Sequence, residues 1–145
     1  MGVIKRKCES GQMTVEFVVI FPVLIIVAII AVNALLFFSE CAAFDRVARD
    51  AVRVYASSPG YGQTSDQACA QIQTSLDAAL EEDYLAVEVA VAQGSVGLAT
   101  YTMTLRFSPT LFGRGGVSQV FGVLLPSLTH RTSLTVDPYK PGVFL

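Results

Sequence analysis

The feature that most constrains this chain is an apolar segment near its N-terminus. Residues 17–39 contain no charged side chain, and the apolar stretch at residues 17–38 is 22 residues long. At a helical rise of about 1.5 Å per residue it covers about 33 Å, the thickness of the hydrocarbon core of a bilayer. A helix that is apolar on every side over about six turns would need a far larger protein around it to be buried in a soluble domain. The sequence therefore predicts a transmembrane helix.

Basic residues before the segment predict its orientation. Lys5, Arg6 and Lys7 precede it, and the positive-inside rule places this end in the cytoplasm. On the far side arginines alternate with acidic residues, which indicates a solvated helix face. A cleaved secretory signal would have a shorter apolar core of about 7–15 residues, and the nearest small-residue site, around Cys41, follows the whole span. We expect a single-pass protein with its N-terminus in the cytoplasm and an extracytoplasmic C-terminal domain.

Composition excludes several functional classes. The chain has 145 residues, of which 52% are hydrophobic and 15% charged, and its formal net charge is -2. This leaves room for one compact domain beside a membrane segment. A disordered tail would be poor in apolar residues and a nucleic-acid-binding protein would carry a basic excess. We therefore expect membrane lipid, and no nucleic acid, among the partners.

A motif lies between the basic run and the apolar segment. Gly11 and Gln12 are followed by Glu16 and Phe17, so a carboxylate abuts the span. Such a carboxylate is either a snorkelling interface residue or a functional one, because it costs about 2–3 kcal/mol at the centre of a membrane helix. If the chain is cut after Gly11, Gln12 carries a new α-ammonium, and Glu16 lies one turn further along the same helix face. The two charges could then neutralise each other within one subunit or between neighbours.

The motif resembles the site cut by prepilin peptidase in type IV pilins. It consists of a glycine, four further residues, Glu-Phe and then Pro22 within a hydrophobic helix. In detail the motif resembles the TadE-like minor pilins, or pseudopilins, of the tight-adherence (Flp) pilus system. The resemblance implies cleavage between Gly11 and Gln12, and it assigns the essential glutamate of that family to Glu16. The resemblance extends to the motif and the helix over about residues 5–55. Beyond them it is limited to the general architecture, a short extracytoplasmic domain after the helix. The family often has small residues where this chain has residues 12–15, Gln-Met-Thr-Val.

The resemblance also implies partners and a location. These partners are a prepilin peptidase, the major Flp pilin, other minor pilins and a pilus assembly platform. The protein would be held in the membrane or built into a surface pilus, where it would serve adhesion. Two other hypotheses share the same features: a pseudopilin of a related secretion or DNA-uptake machine, and an unprocessed membrane-anchored binding domain in which Glu16 is only an interface residue.

Two residues interrupt the apolar segment. Pro22 removes one backbone hydrogen bond, so it predicts a kink or a loosened turn that neighbouring helices compensate. Asn33 lies near the outer end of the segment, and we expect it to contact the membrane interface or a neighbouring helix.

Periodicity beyond the span predicts an α+β fold. Apolar residues at helical spacing continue the membrane helix as an amphipathic stem, namely Phe44, Val47, Ala48, Ala51, Val52 and Tyr55. A second helix begins with a capping box at Thr64 and Gln67 and has an apolar face made of Cys69, Ile72, Leu76, Ala79 and Leu80. Three strands with period two are predicted at residues 86–92, 99–107 and 128–136, the first two joined by a hairpin. A small antiparallel sheet packed against the second helix is therefore expected.

The long connection between the last two strands allows two interpretations. Residues 108–126 contain a glycine-rich stretch and then an apolar run at residues 117–125. The run is interpreted first as a short core helix that covers the sheet. An exposed apolar loop that contacts another subunit or the bilayer surface is the alternative.

No catalytic constellation is present in the sequence. The glycine-rich stretch lacks the ending of a phosphate loop, and His130 is the single histidine. We therefore expect no enzyme, no metal site and no cofactor. Cys8 would leave with the leader, so Cys41 and Cys69 remain outside the cytoplasm. They either form a disulfide between stem and second helix, or Cys69 is a buried small apolar residue.

The predicted organisation therefore has three parts. Residues 1–11 are a cytoplasmic leader, residues 12–56 form the transmembrane helix and stem, and residues 57–145 form the extracytoplasmic α+β domain.

Overall fold

A computed structural model describes residues 9–57, 60, 62–94, 97–111 and 113–137. Residues 1–8 of the predicted leader, with Lys5, Arg6, Lys7 and Cys8, lie outside the described residues. The helices are α1 (Glu9–Tyr55) and α2 (Ser65–Ala79). The strands are β1 (Leu85–Gln93), β2 (Ala99–Phe107), β3 (Thr110–Leu111), β4 (Arg114–Gly116), β5 (Gln119–Val120), β6 (Val123–Leu124) and β7 (Leu128–Val136). The predicted α+β class is confirmed.

Helix α1 is one continuous element that joins the apolar segment to the stem. It has 47 residues, which corresponds to a length of about 70 Å. The stem face is buried as predicted, with Phe44, Ala48 and Val52 at most 1% exposed, and Val47 and Tyr55 packed against the same core. The helix ends at Tyr55, two residues before the predicted loop.

Helix α2 begins with the predicted capping box. The backbone N–H of Gln67 donates to Thr64 Oγ1 at 3.3 Å, and the backbone N–H of Thr64 donates to Gln67 Oε1 at 3.1 Å. Its core face carries Ile72 and Leu76, both fully buried. The predicted apolar face was wrong at Ala79, which is exposed because the helix ends there and the next residue, Leu80, packs against the core instead.

The sheet has the three predicted strands in the antiparallel order β1-β2-β7. Strand β2 lies in the centre, and alternate residues of it face α1 and α2. Tyr101, Met103, Leu105 and Phe107 on this face are at most 1% exposed. The intervening Thr100, Thr102 and Thr104 lie on the opposite, partly exposed face. This alternation follows from the period of two in a strand, and it places the core between the sheet and the two helices.

The described part of the long connection between β2 and β7, residues 108–111 and 113–127, contains no helix. The predicted core helix was wrong: residues 119–124 form the β5–β6 hairpin, and β3 pairs with β4 in a second small hairpin. The physical reason is the turn at Phe121 and Gly122, which both have positive φ and cannot continue a helix. The apolar run is thus divided between short strands, and much of it is exposed.

Candidate functional site

The N-terminal half of α1 is an apolar rod with few contacts inside the chain. Gly11 and Gln12 lie in its first turn, and Glu16 follows on an exposed position. Phe17 is 61% exposed, and its ring lies 5.6 Å from that of Phe21. The helix is long and apolar enough to cross a membrane. The surface that these residues present must therefore be covered by lipid or by other helices, because large apolar side chains on all sides are unstable in water.

Pro22 lies inside α1, which continues on both sides of it. Proline lacks the N–H that would donate to the carbonyl four residues earlier, so one carbonyl of the preceding turn loses its helical partner. The predicted compensation by neighbouring helices stays a prediction.

The outer part of the apolar segment is bound by the chain's own domain. Asn33 is 6% exposed, and its side chain forms hydrogen bonds with the backbone of Thr110, 77 residues later. Its Nδ2 donates to Thr110 O at 2.9 Å, and Thr110 N donates to Asn33 Oδ1 at 2.7 Å. The same Nδ2 also donates to Ile29 O at 2.9 Å. The expected contact of Asn33 with the interface or another helix is thus replaced by a contact with strand β3.

Aromatic residues continue this contact along the helix. The rings of Phe37 and Phe107 lie 5.8 Å apart, and Tyr84 lies 5.6 Å from Phe107. The Tyr84 hydroxyl donates to Glu40 Oε1 at 3.3 Å. Burial, followed by the nearby carboxylates of Glu40 and Glu82, raises the pKa of Tyr84. The segment of α1 from Ile29 to Glu40 therefore packs against the folded domain, although most of it belongs to the predicted membrane span, which ends at residue 38.

A polar pair links the stem to β7. His130 Nε2 lies 2.9 Å from Asp45 Oδ1, and both side chains are about one-third exposed. The His130 ring also packs edge-on against Phe44, with centroids 6.1 Å apart. The alternating charges predicted that the stem face that carries Asp45 is solvated. In the structure one side of this face is instead covered by β7.

The two cysteines of the described domain are free thiols, so the disulfide that the sequence allowed is not formed in the structure. Both pack at the margin of the core, and Cys69 Sγ donates to Val89 O at 3.6 Å. Burial is the main reason why the pKa of each thiol is raised. Neighbouring carboxylates add to it, chiefly Asp45 near Cys41 and Asp66 near Cys69.

The described residues hold no cluster of three His, Cys, Asp or Glu side chains that could bind a metal ion. Among the same residues, every buried side-chain nitrogen or oxygen has a hydrogen-bond partner. Where the structure is described, the buried polar side chains therefore form hydrogen bonds within the chain.

One comparison with known proteins identifies the long helix. The family described as TadE-like protein matches residues 11–53, which begin at Gly11 and run through the apolar segment into the stem. Residues 11–53 are TadE-like. The resemblance seen in the motif is thus confirmed over this segment, which is less than a third of the chain. Comparison with curated proteins and with solved structures gave no match.

The TadE-like segment contains the four motif residues of the predicted cleavage and assembly site, but the structure does not bring them near the domain. Gly11, Gln12, Glu16 and Phe17 lie at one end of α1, far from the contacts at Asn33 and Thr110. Sequence reasoning missed the role of Asn33. The signal was a lone amide in an apolar run, but its partner is a backbone group in a segment for which the sequence predicted a different structure.

Proposed function

We propose that this protein is a TadE-like minor pilin, or pseudopilin, of a tight-adherence (Flp) pilus. Its α1 helix would anchor it in the membrane before assembly and pack against other pilin helices in the filament. The observation that carries the proposal is the TadE-like match over residues 11–53, which joins the Gly-to-Glu motif and the helix in one family segment.

The position of Gly11 supports processing by a prepilin peptidase. Gly11 and Gln12 lie in the first turn of α1. Glycine lowers the stability of a helix by about 0.5–1 kcal/mol relative to alanine, so the helix unwinds at Gly11 at a lower cost than in the apolar turns that follow. A peptidase that needs an extended chain could therefore reach the bond between Gly11 and Gln12 while the rest of α1 stays helical.

The charge on Glu16 supports a role after cleavage. A new α-ammonium at Gln12 would lie one turn from the Glu16 carboxylate on an exposed face of the helix. In a bundle of α1 helices these two opposite charges stabilise each other in a low dielectric, where an unpaired charge is costly. The pair would therefore favour a defined axial register between neighbouring subunits.

The proposal includes an orientation and a set of partners. The N-terminus would lie in the cytoplasm and the α+β domain outside it, since the basic residues 5–7 precede the span. A prepilin peptidase, the major Flp pilin, other minor pilins and the assembly platform would be the protein partners. The role proposed for this chain is structural rather than catalytic.

The N-terminus of the membrane-extracted full chain tests this function. It is determined by mass spectrometry after expression with and without a prepilin peptidase. Gly11→Val is the test variant, and Ser10→Ala, which changes the adjacent residue but keeps the glycine, is its matched control. We expect a peptidase-dependent start at Gln12 in the unaltered chain and in Ser10→Ala, and no cleavage in Gly11→Val.

Two results would overturn the proposal. An uncut chain in the presence of an active peptidase would indicate an unprocessed, membrane-anchored domain. A start near residue 42 would indicate an ordinary secreted protein.

A further inference from the structure

The connection between β2 and β7 is an almost uncharged surface segment. Across residues 108–127, Arg114 is the single charged residue of the sequence. Several large apolar side chains of this segment are nevertheless exposed in the structure. They are Leu111 (41%), Phe121 (69%), Val123 (42%) and Leu124 (75%). Such a concentration of exposed apolar residues marks a surface that is covered in the working protein.

The tip of the β5–β6 hairpin carries a phenylalanine where the backbone disfavours one. Phe121 and Gly122 form a two-residue turn with φ of 48° and 82°. A turn with two positive φ values normally takes Asn, Asp or Gly at its first position, and a bulky residue there is strained. Packing against the described residues does not account for Phe121, because 69% of it is exposed. The side chain is therefore available for contact with another surface.

The hairpin is held beside the apolar segment of α1. Leu124 and Leu125 line an apolar cavity of about 340 Å³ together with Ile30, Asn33 and Ala34 of the helix. The hydrogen bonds between Asn33 and Thr110 tie the same connection to the helix. The hairpin thus lies beside residues 30–34 of α1, which define its height along the helix axis.

This height lies inside the predicted membrane span. Residues 30–34 precede the end of the apolar stretch, at residue 38, by four to eight residues, which is about 6–12 Å along the helix axis. Apolar groups at that depth lie at the boundary between lipid headgroups and acyl chains, where interfacial segments bury their apolar face about 5–10 Å. The continuity with the span indicates that lipid, rather than water, surrounds the hairpin.

The backbone of the hairpin is compatible with this environment. Strands β5 and β6 pair through Gln119 with Leu124 and Val120 with Val123, and Leu125 N donates to Ser118 O at 2.9 Å. Backbone groups must be satisfied within the protein where water is scarce, and these pairs meet much of that need at the interface.

We propose that the β5–β6 hairpin inserts Phe121, Val123 and Leu124 into the lipid leaflet next to α1. The domain would then be attached to the membrane at two places, by the helix and by this hairpin. The proposal rests on the membrane anchor and not on the pilin function, so it also applies to an unprocessed chain. It further implies that a subunit entering a filament has to withdraw the hairpin from lipid.

Tryptophan fluorescence of the full chain in phosphatidylcholine vesicles tests this insertion, because the chain has no tryptophan of its own. Phe121→Trp and Leu124→Trp report on the hairpin. Val54→Trp is the matched control, since Val54 is 62% exposed on the same helix and lies about 30 Å further from the membrane than Ala34. The quenchers are lipids brominated on their acyl chains and aqueous iodide.

We expect both hairpin tryptophans to emit at shorter wavelength than Val54→Trp, to be quenched several-fold more by brominated lipid and to be protected from iodide. These results must not change when the protein is diluted in lipid. Quenching equal to that of Val54→Trp in both hairpin variants would overturn the proposal. A blue shift that is lost on dilution, without quenching by brominated lipid, would also overturn it and indicate a contact between copies of the chain. No peptidase or pilus takes part, so this result is independent of the test of the proposed function.

Discussion

Asn33 and Thr110 exchange two hydrogen bonds between a side chain of the apolar helix and the backbone of a strand 77 residues later. The amide of Asn33 thus satisfies both the N–H and the C=O of Thr110, as a neighbouring strand would. This contact fixes β3 at one position along α1, because the pairing has one register and both residues are buried.

Asn33→Ala is expected to loosen β3 from the helix. It leaves the buried N–H and C=O of Thr110 without partners, which costs about 1–3 kcal/mol. Hydrogen exchange of the Thr110 amide in detergent micelles should become about 5–150-fold faster, because each step of about 1.4 kcal/mol is a factor of ten. Thr110→Val is the control. It removes the Thr110 hydroxyl, which contacts Asn33 Oδ1 and accepts from Gly113 N, but keeps the backbone groups that Asn33 binds, so it should retain more protection at residue 110 than Asn33→Ala. Unchanged protection in Asn33→Ala would show that the hydrogen bonds between Asn33 and Thr110 do not stabilise β3 against the helix.

A second side-chain amide, that of Gln73, binds the backbone of a strand in the same way, at the β1 edge of the sheet. Gln73 Nε2 donates to Val87 O, and Val89 N donates to Gln73 Oε1, each at 2.9 Å. Strand β1 is an edge strand, and unpaired edges invite association with other chains. Helix α2 thus covers this edge at its centre with Gln73, and Cys69 adds a contact to Val89 O.

Gln73→Ala should expose that edge. The loss of two hydrogen bonds to partly buried backbone groups is expected to lower the free energy of unfolding by about 1–3 kcal/mol. Self-association, followed by analytical ultracentrifugation, should rise as well. Gln71→Ala is the matched control, because the Gln71 side chain is exposed and its amide accepts from Gln63 on the surface. Equal effects of the two substitutions would contradict a special role for Gln73.

Stability should fall at high pH because of partly buried thiol groups and buried phenol groups. Burial raises the pKa of Cys41 and Cys69 above 9.0 and of Tyr84 and Tyr101 above 10.0. In the unfolded chain these groups ionise at their ordinary values, so at alkaline pH the native state binds more protons than the unfolded state. The free energy of unfolding then decreases as the pH rises above about 9.

Denaturant titrations between pH 7 and pH 11 measure this slope. The double variant Cys41→Ala and Cys69→Ala should show a shallower decline between pH 9 and pH 10, the range in which the unfolded thiols ionise. A stability that stays constant or increases over the whole alkaline range would contradict the prediction.

Glu16→Gln tests the charge proposed for assembly, and it rests on the proposed function. Cleavage after Gly11 should continue, because the bond and the first helical turn are unchanged. Incorporation into pili should fall strongly, because the new α-ammonium of Gln12 loses its opposite charge in a low dielectric. The amount of protein in sheared pili measures this, with the mature N-terminus checked by mass spectrometry.

Glu9→Gln is the control for Glu16→Gln, since it makes the same chemical change in the part of the chain that cleavage removes. It should leave pilus incorporation unchanged. If Glu16→Gln enters pili as well as Glu9→Gln does, Glu16 is an interface residue without a role in assembly.

The sequence by itself determined the local elements of this protein. Charge-free length predicted the membrane helix, the period of 3.6 predicted the stem, and the capping box predicted the start of α2. The period of two predicted β2 and β7 to the residue and β1 to within one residue at each end. These features depend on neighbours in the chain, so the order of residues is enough to predict them. The Gly11-to-Glu16 motif belongs to the same category.

Tertiary structure alone decided how far the domain extends along the apolar helix. Asn33 finds its partner in Thr110, and Asp45 finds His130, because β2 and β7 fold back onto α1 and bring their connection against it. The apolar run of that connection, residues 117–125, was interpreted as a short core helix, since an apolar run of that length has no period that separates helix from strand. The positive φ at Phe121 and the hydrogen bonds between Asn33 and Thr110 arise from contacts between segments distant in sequence, and no local pattern encodes them.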